Sequence, residues 1–166
     1  MQPVETERRR VIEWEDPMEG ARRGAELSGI EHLRALMSGE IPQPPIARLM
    51  DFAPVAVEEG KVTFAATPGE QHYNPIGMVH GGLGATLLDS AMGCAVQSTL
   101  AAGVGYTTLE LKVNFVRGMS AATGRVLCQA EVVHRGGRVA TAEGRVIAED
   151  TGKLLAHGTS TCLILT

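Results

Sequence analysis

Between Gly81 and Leu109 the chain carries one formally charged side chain, Asp89. Within that stretch Leu83, Leu87, Leu88, Met92, Cys94, Val96 and Leu100 fall on all sides of a helix running from Gly81 to about Leu100. A helix that is apolar all round is enclosed by a protein core or by a membrane. The membrane alternative fails on two counts. An Asp at mid-helix costs about 2.5–3.5 kcal/mol on insertion scales, and the flanking segments are strand-like. The helix is therefore expected inside an antiparallel sheet made by the rest of the chain.

Six strand candidates can supply that sheet. Phe52–Val57 and Lys61–Ala66 flank a tight-turn signal at Glu58-Glu59-Gly60. After the helix, Leu109, Leu111, Val113 and Phe115 alternate with Glu110, Lys112 and Asn114, a period-two pattern. Arg125–Val133, Arg138–Ala148 and Leu154–Leu165 follow, joined by hairpin-like Arg135-Gly136-Gly137 and Asp150-Thr151-Gly152. The expected class is α+β, with about six antiparallel strands around one long central helix. Residues 1–45 read as a partly helical N-terminal extension and 46–166 as the main domain. In the extension, Ser28 and Glu31 form a capping box and Gly39 stops the helix they open. Pro45 can open a further short helix.

The central helix carries one stripe of a different kind. Gly82, Ala85, Thr86, Asp89, Gly93 and Gln97 share a face and are small or polar. Such a face admits a second helix or a ligand. A lone carboxylate among apolar neighbours is a functional candidate because its charge is costly to bury; the alternative is a hydrogen-bonded structural acid. At the helix start, His80-Gly81-Gly82 offers free backbone N–H groups at the positive end of the dipole, where a developing oxyanion is stabilised. Eight residues separate Gly81 from Asp89, about 12 Å along a helix. One carbonyl cannot be held by the first and attacked beside the second in the same chain. If both act on one substrate, the site is shared by a homodimer with antiparallel helices.

Composition excludes several classes. The net charge is −4, and the Arg8-Arg9-Arg10 cluster is offset by Glu5, Glu7, Glu13 and Glu15, so neither nucleic acid nor an anionic membrane is an expected partner. Cys94, Cys128 and Cys162 are widely spaced with no CxxC pair, and His72 and His157 have no ligand spacing. No metal or other cofactor is expected, and the thiols read as reduced and cytoplasmic. The charged start lacks the apolar run of a signal peptide.

At these residues the sequence resembles the PaaI-like branch of hot-dog thioesterases. The match runs Asn74-Pro-Ile-Gly77-Met-Val-His80-Gly81-Gly82, then Leu87-Leu88-Asp89, then Thr107 to Phe115, then His134-Arg135-Gly136-Gly137-Arg138. It covers roughly residues 46–165. The resemblance implies a hot-dog fold and hydrolysis of acyl-CoA thioesters. It makes Asp89 the general base or the nucleophile and the Gly81 N–H the group that polarises the thioester carbonyl. Asn74 would bind that carbonyl or position water, His80 would shape the loop, and Thr108 would orient water. Gly82, Arg135, Gly136 and Arg138 would bind substrate, the hairpin taking the pantetheine arm or phosphates of CoA. Strand parity, however, puts Thr108 with Glu110 and Lys112 on the polar side, so a local twist is needed to bring it inward. Dimers of this type often pair into tetramers.

Two other readings stand beside hydrolysis. A hydratase or dehydratase on the same fold uses a His–acid pair in a different loop pattern. A non-catalytic acyl-CoA sensor would keep the pocket without needing Asp89. The sequence leaves open the acyl group (aryl-acetyl, hydroxybenzoyl or medium-chain) and whether CoA or an acyl-carrier protein bears it.

Overall fold

The computed structural model describes residues 8–165. Three short helices come first: α1 (Pro17–Ala25), α2 (Gly29–Ser38) and α3 (Pro45–Met50). Each boundary has a local cause. Asp16 caps α1 by accepting from the Met18 N–H at 2.8 Å, and Pro17 takes its first position. The Ser28–Glu31 capping box opens α2 and left-handed Gly39 (φ 79°) closes it. Pro45 opens α3, which ends at Asp51 in the same left-handed region (φ 58°).

Strands β1 (Phe52–Glu58) and β2 (Lys61–Ala66) precede helix α4 (Gly81–Gln97). Strands β3 (Gly105–Phe115), β4 (Val126–Arg135), β5 (Val139–Ala148) and β6 (Leu154–Leu165) follow it. All six join one antiparallel sheet in the order β1-β2-β4-β5-β6-β3. The α+β architecture is as the sequence implies, with two adjustments. The central helix stops at Gln97, short of Leu100, and β3 begins four residues before Leu109.

The sheet wraps α4 because its middle is cut away. Gly144 and Gly158 are cross-strand partners in β5 and β6, and Leu88 and Met92 lie over them. A side-chain carbon on Gly144 would come within 3.1 Å of Leu88 and 3.2 Å of Met92. Glycine in a strand interior marks this kind of close approach. Leu83, Leu87, Leu88, Met92 and Val96 are at most 1% exposed, and each such burial contributes about 1.5–3 kcal/mol. Leu33 of α2 and Ala47 of α3 join the same buried cluster, so the first helices are seated on the core. No helix of the described residues is long and apolar enough to cross a membrane.

Candidate active site

One face of α4 escapes the sheet. Gly81, Gly82, Ala85, Thr86, Asp89, Ser90, Cys94 and Gln97 are half-buried, while most other positions of the helix are buried. Asp89 therefore stands at the margin of the core, with one side open, rather than sealed inside it.

Thr108 stands opposite. Its Oγ1–H donates to Asp89 Oδ1 at 3.0 Å, fixing one carboxylate oxygen and leaving Oδ2 free. Simple alternation would have turned Thr108 outward, and a bulge overrides it. In the β3–β6 register Thr108 pairs with Cys162 and Glu110 with Thr161, so Leu109 is the extra residue. Tyr106 and Thr108 before the bulge share the inner face with Leu111 and Val113 after it. Leu109 itself is 58% exposed, against the inward position that alternation gave it. Phe115, the last residue of that pattern, is also exposed, and its ring packs over Gly81 and Gly84 at the helix start.

The other end of α4 is built for an unused donor. His80 is the N-cap, and its Nδ1 accepts from the Gly82 N–H at 2.8 Å. The Gly82 donor is thereby occupied, while the Gly81 N–H has no acceptor among the described residues. A side chain at Gly81 would press the Phe115 ring, 3.0 Å from a Cβ. Asn74 organises the preceding loop. Its Oδ1 accepts from the Ile76 and Met78 N–H groups, both at 3.1 Å, and its backbone N–H donates to the Met78 carbonyl at 2.7 Å. Its side-chain NH2 has no partner among the described residues. His72 carries the loop from behind. Its carbonyl accepts from the His80 N–H at 2.7 Å, and its Nδ1 accepts from the Gly69 N–H at 3.1 Å. The His72 Nε2 is buried with no partner among the described residues. Burial, and then the Arg10 cation, hold this imidazole below its ordinary pKa.

Along α4 the free Gly81 donor and Asp89 are separated by about 12 Å of helix rise. Their neighbours on β3, Phe115 and Thr108, are correspondingly at opposite ends of that strand. One chain thus holds the two groups well apart. The β4–β5 hairpin is level with the Asp89 half, since Arg135, Ala140, Cys162 and Thr108 form one cross-strand row. Gly136 closes the hairpin through its N–H to the Val139 carbonyl at 2.9 Å. Arg135 donates to the Gly136 carbonyl, Arg138 is exposed, and neither forms an ion pair among the described residues.

Cys94 lies near Asp89 on the same helix. Burial first, and then the Asp89 charge, push its thiol up to about 12. Among the described residues no three His, Cys, Asp or Glu side chains group as metal ligands. Two concavities lie elsewhere, one of about 710 Å3 between residues 10–15 and β1 and one of about 570 Å3 on the outer sheet face. Neither touches Asp89. The sequence reading did not single out Tyr106 or Phe115 as site residues; the signal was the α4 glycines that make room for them, Gly93 for Tyr106 and Gly81 and Gly84 for Phe115.

The family model described as the thioesterase superfamily matches residues 76–155. A protein of Halobacterium salinarum that carries an esterase name is 40% identical over 82 residues, 48% of this chain. The chain spans about half of that relative's length, 48%. Human acyl-coenzyme A thioesterase 13 is 32% identical over 108 residues, 64% of this chain and 75% of the human protein. Among solved structures, a phenylacetic acid degradation-related protein of Ralstonia eutropha JMP134 superposes with a TM-score of 0.71 at 29% identity. That match covers 79% of this chain and 98% of the other. With its helix-wrapping sheet and these relatives, the chain belongs to the thioesterase superfamily of thioester hydrolases and has the hot-dog fold.

Proposed function

We propose that this chain hydrolyses acyl-CoA thioesters to free acid and CoA, in sites shared between two copies. The observation that carries this reading is the pair of half-sites. Asp89, oriented by Thr108, and the unpartnered Gly81 N–H are too far apart in one chain for one carbonyl. Antiparallel α4 helices from two copies would set each Asp89 beside the other copy's Gly81. Strand β3 supports such pairing, being an 11-residue edge strand that itself carries exposed Leu109 and Phe115. Pairing of these dimers into a tetramer is a further step of the same proposal.

In the general-base route, the free Asp89 oxygen takes a proton from water as the water oxygen bonds to the thioester carbon. The carbonyl oxygen becomes an oxyanion held by the Gly81 N–H of the second copy. Collapse breaks the C–S bond, and the CoA thiolate takes the proton back from Asp89. In the nucleophilic route the same oxygen attacks the carbon directly, the C–S bond breaks and CoA leaves as thiolate; water then cleaves the resulting anhydride to the acid and Asp89, and the proton released passes to the thiolate. Asn74 supplies its free NH2 to the carbonyl or to the water. His80 holds the helix start, and Gly82 leaves room for the substrate. Arg135, Gly136 and Arg138 take the pantetheine arm or phosphates of CoA. Reduced Cys94, Cys128 and Cys162 fit a cytoplasmic setting.

CoA release from a panel of aliphatic and aromatic acyl-CoAs tests this directly. Asp89→Asn should lower kcat by more than about 100-fold with the fold intact. Equal rates in both proteins would make Asp89 a structural acid. Tight acyl-CoA binding with no turnover in either would favour a non-catalytic sensor.

A further inference from the structure

We propose that Tyr106 closes the acyl arm of this site one helical turn beyond Asp89 and so restricts the enzyme to short acyl groups. The inference rests on the shared-site reading above and names a specificity-determining residue within it.

Tyr106 is two residues before Thr108 on the inner face of β3, and its ring reaches across to α4. There it lies directly on Gly93. A side-chain carbon at Gly93 would overlap the Tyr106 hydroxyl, and the ring edge would lie only 2.9–3.0 Å from it. Glycine at this point of the helix is what lets the phenol ring in. The ring thus fills the space that Gly93 would otherwise leave open on the stripe. The hydroxyl makes no hydrogen bond among the described residues. Burial first, then the neighbouring Cys94, hold its pKa well above the usual phenol value, so the wall is uncharged.

An acyl arm leaving a carbonyl beside Asp89 has two ways along the stripe. Towards Thr86 and Gly82 it enters the stretch that antiparallel pairing gives to the second copy's reaction centre. Towards Gly93 and Gln97 it meets no second centre. In that direction Tyr106 stands one turn away, about 6 Å of rise. Behind it Gln97 is already covered, its Nε2 donating to His32 Nδ1 of α2 at 2.9 Å. The ring is therefore the first wall met, and the extension is the second.

The test measures kcat/KM for saturated acyl-CoAs from acetyl to dodecanoyl with wild type, Tyr106→Val, Tyr106→Leu and Tyr106→Phe. Thermal melts check each fold, and Asp89→Asn is run with every substrate. Two more methylenes buried are worth about fifteenfold, at about fourfold each. The decanoyl-to-butanoyl ratio should therefore rise at least about tenfold in Tyr106→Val, or in Tyr106→Leu should the smaller side chain fail to fold. Tyr106→Phe, which keeps the ring, should keep the wild-type length preference. Unchanged length preference in folded Tyr106→Val or Tyr106→Leu, with turnover still dependent on Asp89, overturns the role of Tyr106 alone. A wild type already fastest on dodecanoyl-CoA overturns it as well. Turnover that survives Asp89→Asn, or no turnover of any thioester, overturns the site reading and this inference with it.

Discussion

Thr108 owes its place beside Asp89 to one extra residue in β3. With Leu109 bulged out, the face that ends in Thr108 continues into Leu111 without a break. The sequence names Thr108 only through family resemblance, and strand parity argues against it. Parity fails here because Leu109 is apolar and reads as an inward residue, while the structure leaves it 58% exposed. By contrast Asp89 is legible from the residues alone, as the single charge in a long apolar run. The Thr108 hydroxyl holds one Asp89 oxygen at 3.0 Å, and misplacing a reacting group by about 1 Å can cost about 100-fold. Thr108→Val should accordingly lower kcat by about 10- to 100-fold with little change in KM, and Thr108→Ser should restore most of it. Steady-state kinetics on one good acyl-CoA read both numbers. A Thr108→Val enzyme with wild-type kcat would reduce the contact to packing.

Among the elements, α4 and the hairpins were the easiest to read. Continuous apolar character and Gly-rich turns are local signals, and tertiary structure did not override them. α1 was not legible because its buried positions are Gly20 and Gly24, which leave no apolar stripe in the sequence. Gly24 is required where it stands, since a side-chain carbon there would overlap the His32 ring. α2 sits equally close, with Gly29 against the Gln97 carbonyl and its N–H donating to Leu100 O at 2.9 Å. His32 makes this docking sensitive to pH. Burial lowers its pKa below the ordinary 6.5, and its Nδ1 accepts from Gln97, which it can do only while that nitrogen is unprotonated. His72 is lowered too, by burial first, and its Nδ1 likewise accepts, from Gly69. A folded value below the unfolded one means the unfolded chain takes up the proton first. The stabilisation is complete above about pH 6.5 and is lost as pH falls through the lowered folded values. Thermal melts between pH 7.5 and 5 should show Tm falling with acidification. His32→Gln should reduce that slope by a readable amount, about 2 °C or more across the range. An identical slope in the variant would mean His32 does not report on docking of the extension.

At the scale of the whole molecule, the decisive fact is a separation that no single side chain reveals. The helix rise puts about 12 Å between the free Gly81 donor and Asp89, and that distance could be counted from the sequence before any coordinates. The neighbours that give each half-site its form could not, since Phe115 over Gly81 and Thr108 against Asp89 depend on how β3 crosses the helix. If two copies complete each other, two inactive variants should rescue one another. Asp89→Asn removes the carboxylate. Gly81→Pro removes the one N–H in question at a first helical position, where proline is tolerated, although its ring must displace the exposed Phe115 side chain. A mixed dimer has one site with both lesions and one with neither. Half of the dimers formed on random co-assembly are mixed, and half of their sites are intact, so activity should return to about a quarter of wild type. Co-expression with two affinity tags isolates the mixed species, where the expected value is about half per dimer. A mixed dimer as inactive as its parents would place Asp89 and Gly81 in the same site of one chain, against the helix geometry, or take one of them out of the chemistry altogether.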